Sequence, residues 1–414
     1  MVLQASVCVS QELYDKTIKA ADAQPEAYVP LLKGKRVALV INQTSVVAGV
    51  SLLDILIGRK VHVVKIFVPE HGFRGKEDAG ARVDNAVDNA TRLPIVSLYG
   101  KHKQPTAEDL ADVDVVVYDL QDVGVRFYTY ISTLEYCMAA CAENHKQIMV
   151  LDRPDPNGFY VDGPLPDRDN KSFVCMQHVP VVYGMTAGEY AGMLKASPRP
   201  SPGEREDISP RPSTLPPSAP SLEKTEGVNS LASVDLVVIK CVNYSHKKKY
   251  ELPVAPSPNL RTMAAVYAYA SLCLFEGTVV SVGRGTDMPF QQFGNPEMGQ
   301  TFEYNFTPRS MEGAKSPPYE GKMCFGDVIG TDAREVLEKV DNKFSLEWLL
   351  MAYKAYPEKE KFFNAFFATL CGSKQLQEQI VKGATEAEIR KSWEGELKEF
   401  EKVRKKYLLY EDFE

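Results

Sequence analysis

Along the first two-thirds of the chain, apolar residues fall in short unbroken runs, each closed by a polar cluster. Arg36–Ile41 (RVALVI) stops at Asn42, and His62–Val68 (HVVKIFV) stops at Glu70 and His71. Residues 95–99 (IVSLY) end on Tyr99. Residues 113–118 (VDVVVY) run into Asp119, Gln121 and Asp122, and Gln147–Leu151 (QIMVL) runs into Asp152 and Arg153. Val/Ile/Leu runs without polar alternation predict strands buried on both faces, hence a parallel sheet covered by helices. Residues 179–183 and 235–240 read as two further strands. Helices are predicted between them, after Thr106 with Asp109, over 132–142, and after Thr186 with Glu189. Both Thr pairs have the spacing of an N-cap and its partner three residues on. The alternation is that of an α/β, Rossmann-like domain with a mostly parallel sheet.

The pattern changes further on. Residues 197–221 hold eight prolines among Ser, Arg and Glu; so little apolar surface cannot offset the entropy of ordering, and a disordered surface insertion is expected. At 252–259 (LPVAPSPN) proline breaks both helix and strand. We therefore expect a Rossmann-like domain over 30–251 and a smaller, helix-rich α+β domain over 256–414. In the latter, 263–276 reads as a helix, and Thr385 with Glu388 caps a helical segment running to Tyr410.

Composition narrows the chemistry. The 414 residues are 44% hydrophobic and 25% charged, with a net charge of −7; no basic surplus exists to neutralise the phosphates of a nucleic acid. No apolar run reaches the ~18 residues of a membrane span. The eight cysteines show no paired metal-ligand spacing, so neither a metal nor another cofactor is expected. No glycine-rich turn follows the first strand, which removes dinucleotide binding, and P-loop and nucleophile-elbow motifs are absent.

In a parallel sheet, ligands bind outside the carboxyl ends of the strands, and here those ends carry reactive groups. PEHGFRG (69–75) sets Glu70, His71 and Arg74 around a glycine turn. DLQDVGVRFYTY (119–130) offers Asp119, Gln121, Asp122, Arg126, Tyr128 and Tyr130. Residues 275–278 (FEGT) and 283–287 (GRGTD) add Glu276 and Arg284. Such a set suits a sugar: acids for proton transfer, Asn42, Gln121 and Asp152 for hydroxyls, tyrosines for ring faces, arginine for an acidic substituent. Tyr128 and Tyr130 would serve equally as packing residues. A sugar-binding protein without catalysis would use the same groups.

These stretches, with SLYG (97–100), LDRPDPNG (151–158), YGMTAGEYA (183–191), PSPN (256–259), FEGTVVSVGRGTDMPF (275–290) and RKKYLLY (404–410), resemble the NamZ-type exo-β-N-acetylmuramidases from about residue 33 to the end. The resemblance implies a cleft between two domains and release of N-acetylmuramic acid from the non-reducing ends of peptidoglycan-derived saccharides. It implies Glu70 as the catalytic acid; the neighbouring His71 and Arg74 would then help set its field and orientation. A second carboxylate is then needed; Asp122 comes first, Asp119 second and Glu276 third. Arg126, Arg153 or Arg284 would clamp the lactyl carboxylate that separates muramic acid from glucosamine. The family is usually exported, which implies a periplasmic or extracellular location, whereas the first lysine here is Lys16 and no positively charged leader region is read, which leaves the cytoplasm as the alternative.

Overall fold

The computed structural model describes residues 12–70, 72–73, 85–196 and 231–414. His71, Arg74 and the proline-rich stretch 197–221 lie outside the described residues. Twelve strands are described, β1 (Arg36–Ile41), β2 (Val46–Val47), β3 (Val50–Ser51), β4 (His62–Val68), β5 (Ala86–Val87) and β6 (Pro94–Ser97) coming first. They are followed by β7 (Val115–Asp119), β8 (Gln147–Leu151), β9 (Asp235–Ile239), β10 (Gln292–Asn295), β11 (Tyr304–Phe306) and β12 (Cys324–Val328).

Seven of these form the central sheet, in the order β5-β6-β4-β1-β7-β8-β9, parallel throughout except for β5. The unbroken apolar runs are the central strands: β7 is buried at every position, and β1 and β8 at all but the first. The two faces feed different cores. Val37, Leu39 and Ile41 pack with Tyr28 and Leu32 on one side. On the other, Ala38 and Val40 join a larger cluster that includes Phe275, Phe293, Phe344 and Trp348 of the carboxyl-terminal half. One continuous core thus ties the sheet to a helix-rich region holding the small antiparallel sheet β10-β12-β11. Because β1 has β4 on one side and β7 on the other, the chain reverses direction across the sheet here. A crevice opens at the carboxyl ends of these strands.

Three expected elements differ. Residues 179–183 form no strand; Val182 makes only isolated bridges to Val125 and Asp162, since Pro180 has no N–H to extend a ladder. Thr106 and Asp109 do exchange hydrogen bonds, but only turns follow, because β7 begins six residues after Asp109. The terminal helix is two, Glu386–Lys391 and Glu394–Arg404, parted where Trp393 turns into the core. Thr385 and Glu388 form the expected capping box, and Thr186 and Glu189 bond reciprocally at the start of Ala187–Ala196. Among the described residues no helix is long and apolar enough to cross a membrane.

Candidate active site

Past β4, Pro69 accepts a hydrogen bond from Gly72 N (3.2 Å), and Gly72 takes a φ of +72°, closing a tight turn. Glu70 lies within this turn and lines a cleft of about 370 Å³. Thr129 Oγ1 donates to Glu70 Oε2 (3.2 Å), and Thr129 is the cap of the helix Tyr130–Glu143. The Tyr99 hydroxyl also bonds Glu70; burial, then the nearby carboxylate, pushes that phenol above its ordinary range.

Aromatic rings make the floor. Tyr128 and Tyr130 meet edge to face at 4.6 Å, and Tyr269 meets Tyr128 at 6.2 Å and Phe290 at 5.0 Å. Their polar ends are tied down: Tyr128 donates to Pro256 O (2.7 Å), and Tyr130 accepts from Asn42 Nδ2 (2.7 Å). Such rings give broad, rigid apolar contact at little entropic cost.

The carboxyl-terminal half supplies the remaining wall with Glu276 and Arg284. Arg284 Nε donates to Glu276 Oε1 (2.7 Å), its guanidinium lies over the Phe290 ring at 5.0 Å, and the Cys273 thiol is 4.0 Å from Glu276 Oε2. Burial opposes the arginine's charge, but Glu276 outweighs it and holds the guanidinium above its ordinary range. No described residue accepts a hydrogen bond from the terminal nitrogens of Arg284. The flanking glycines are required, since both have φ near +80° and a Cβ on Gly285 would sit 2.7 Å from Arg309 O.

Glu70, Tyr99, Tyr128, Tyr130, Glu276 and Arg284 therefore meet at one cleft, whereas Asn42, Asp119, Gln121, Asp122, Arg126, Asp152 and Arg153 turn inward. Asp119 and Arg153 form a buried pair (2.7 and 3.0 Å), with Asp22 on the same guanidinium at 2.6 Å. Burial pushes Asp22 above the usual carboxylate range, with Arg153 pulling it down and the like charge of Asp119 adding to the rise. Arg126 is spent on four backbone carbonyls. Asp152 accepts from Thr186, Gly188 N and Tyr410, docking the chain terminus onto the sheet, and burial pushes it up to about 6. Gln121 donates to the carbonyls of Asp122 and Pro154, and the Asn42 carbonyl oxygen holds Thr44.

Asp122, the first choice for a second acid, is buried beneath the cleft rather than lining it. Tyr183 (2.5 Å) and Gly124 N (2.8 Å) donate to its Oδ1, and burial pushes it up to about 6. Each of these groups has at least one partner inside the protein, as buried polar groups require, although Gln121 Oε1, Asp122 Oδ2 and Arg126 Nε keep none. The sequence reading missed Thr129, Ser257, Cys273, Phe366 and Leu370 as lining residues. Thr129 was findable as the cap directly after a strand-end motif; Phe366 and Leu370 carry no motif at all.

The family model for the N-terminal part of the exo-β-N-acetylmuramidase NamZ matches residues 37–264, and that for its C-terminal part matches 267–410. The chain belongs to the NamZ family. Its members are glycoside hydrolases, and this chain is one. It is 34% identical over 401 residues to the peptidoglycan β-N-acetylmuramidase NamZ of Bacillus subtilis (strain 168), covering 92% of this chain and 89% of that protein. A crystal structure of a DUF1343 family protein from Bacteroides fragilis superposes with a TM-score of 0.81 at 40% identity, covering 95% of this chain and 99% of that one. A second DUF1343 protein from the same organism gives 0.70 at 26% identity, over 97% and 100%.

Proposed function

We propose that this NamZ-family enzyme removes single N-acetylmuramic acid units from the non-reducing ends of peptidoglycan fragments, with Glu70 as general acid. The observation that carries the reading is one small aromatic cleft with Glu70 on the sheet side and Glu276 with Arg284 on the other. A volume of about 370 Å³ is at the lower end of the ~300–1,000 Å³ typical of ligand pockets, which suits one sugar at a time. Glu70 gives its proton to the glycosidic oxygen as the bond from the anomeric carbon to that oxygen breaks, and the electron pair leaves with the alcohol. Glu276 is the second carboxylate. It steadies the cationic ring or orients the attacking water or the substrate's own acetamido group. The terminal nitrogens of Arg284 receive the lactyl carboxylate, where two parallel hydrogen bonds give geometry as well as charge. Because peptidoglycan lies outside the cytoplasmic membrane, the site of action is periplasmic or extracellular.

Glu70→Gln tests this. General-acid catalysis contributes about 10²–10⁴-fold, so hydrolysis of a muramic acid–glucosamine disaccharide falls by that much. A nitrophenyl β-N-acetylmuramide, whose leaving group needs little protonation, loses far less. Equal loss on both would move the acid role away from Glu70. Release from glucosamine-terminated chains at the same rate as from muramic acid-terminated ones would remove the specificity.

A further inference from the structure

The floor of the cleft is buried, whereas Phe366 on its rim is 42% exposed, the one aromatic ring among the exposed large hydrophobics of the described residues. The other rim ring, Phe173, is already engaged: Tyr136 stacks with it at 6.1 Å and 25°, and Lys103 Nζ lies 4.6 Å from its centroid. Phe366 has no ring or cation partner among the described residues. Its backbone is nevertheless anchored. Asn364 caps the helix Ala365–Cys371 by accepting from Phe366 N (2.8 Å). The side-chain amide of Asn364 reaches the carbonyls of Glu276 and Thr278 (3.4 Å each), and its backbone N donates to Gly277 O (3.0 Å). The ring is thereby indexed to the segment that carries Glu276.

We infer that Phe366 is the stacking platform of a leaving-group subsite, taking the apolar face of the second sugar, an N-acetylhexosamine. The inference rests on the exo-acting reading above. A terminal sugar in the closed aromatic end leaves the rest of the saccharide to exit at the mouth, where Phe366 stands. An exposed ring on a capped helix at that point offers apolar contact without first having to be uncovered.

The test compares the muramic acid–glucosamine disaccharide with methyl β-N-acetylmuramide, which has no second ring. In Phe366→Ala the ratio of kcat/KM values, disaccharide over methyl glycoside, falls roughly five- to tenfold, the size of one aromatic contact. Phe366→Trp restores it. Phe366 is exposed, so neither variant endangers folding. Binding of both ligands, measured calorimetrically in a Glu70→Gln background, shows the same change in ratio. An unchanged ratio, or equal loss on both ligands, overturns the platform. A wild-type protein that turns over neither substrate while the binding ratio still shifts would overturn the hydrolytic reading and leave the platform standing.

Discussion

Arg126→Met separates a structural arginine from a substrate-reading one. The guanidinium is 1% exposed and donates through Nη1 to the carbonyls of Pro164 (2.9 Å) and Val179 (2.8 Å). Through Nη2 it reaches Leu370 (3.3 Å) and Cys371 (3.0 Å), at the end of the helix that brings Phe366 and Leu370 to the cleft. Burial depresses its pKa, and no carboxylate pairs with it among the described residues. Methionine keeps much of the volume and recovers the cost of burying a charge, but strands four carbonyls at about 1–3 kcal/mol each. The two effects oppose, leaving a net loss of about 3–5 kcal/mol, the range for breaking a buried charged network. With 414 residues and an unfolding entropy of about 2.1 cal/mol/K per residue, the thermal midpoint falls by roughly 3 to 6 °C. Calorimetry reads that shift, and muramide against glucosaminide hydrolysis reads specificity. An unchanged midpoint with lost preference for the muramide would show that Arg126 reads substrate, and would refute the structural assignment.

Arg284→Met removes the proposed lactyl clamp. A charge-assisted hydrogen bond contributes about 1.5–3 kcal/mol, so the ratio of muramide to glucosaminide kcat/KM falls by roughly one to two orders of magnitude; a constant ratio would place specificity elsewhere. Asp122→Asn tests the buried acid beneath the cleft. Burial lifts Asp122 from 3.8 to about 6, so the folded state binds the extra proton and wild-type stability declines as pH rises from about 4 to 6. Above that the penalty is complete, on the order of 3 kcal/mol. The variant's midpoint should exceed that of wild type by more at pH 8 than at pH 5, with muramide hydrolysis kept within a few-fold. Abolished activity with no pH-dependent gain would return Asp122 to the catalytic list.

Much of this protein was legible locally. An unbroken run such as RVALVI can be buried on both faces only inside a parallel sheet, so β1, β4, β7 and β8 were readable from composition and length. Polar residues at strand ends marked which edge of the sheet carries chemistry, and the Thr385–Glu388 spacing marked a helix start. Direction and partnership were not legible. Arg126, Arg153 and Arg284 are equivalent in sequence, but the fold sets one against four carbonyls, one between two aspartates and one at the cleft with terminal nitrogens to spare. Asp122 and Glu70 both follow strands, and only the turns after them decide that one carboxylate meets Tyr183 inside while the other meets the cleft. Phe366 lies 296 positions after Glu70 in the chain, and no local pattern links the two. Burial, and the demand that every buried polar group find a partner, depend on which distant segments pack together, so the tertiary structure alone sorted equivalent residues into scaffold and site.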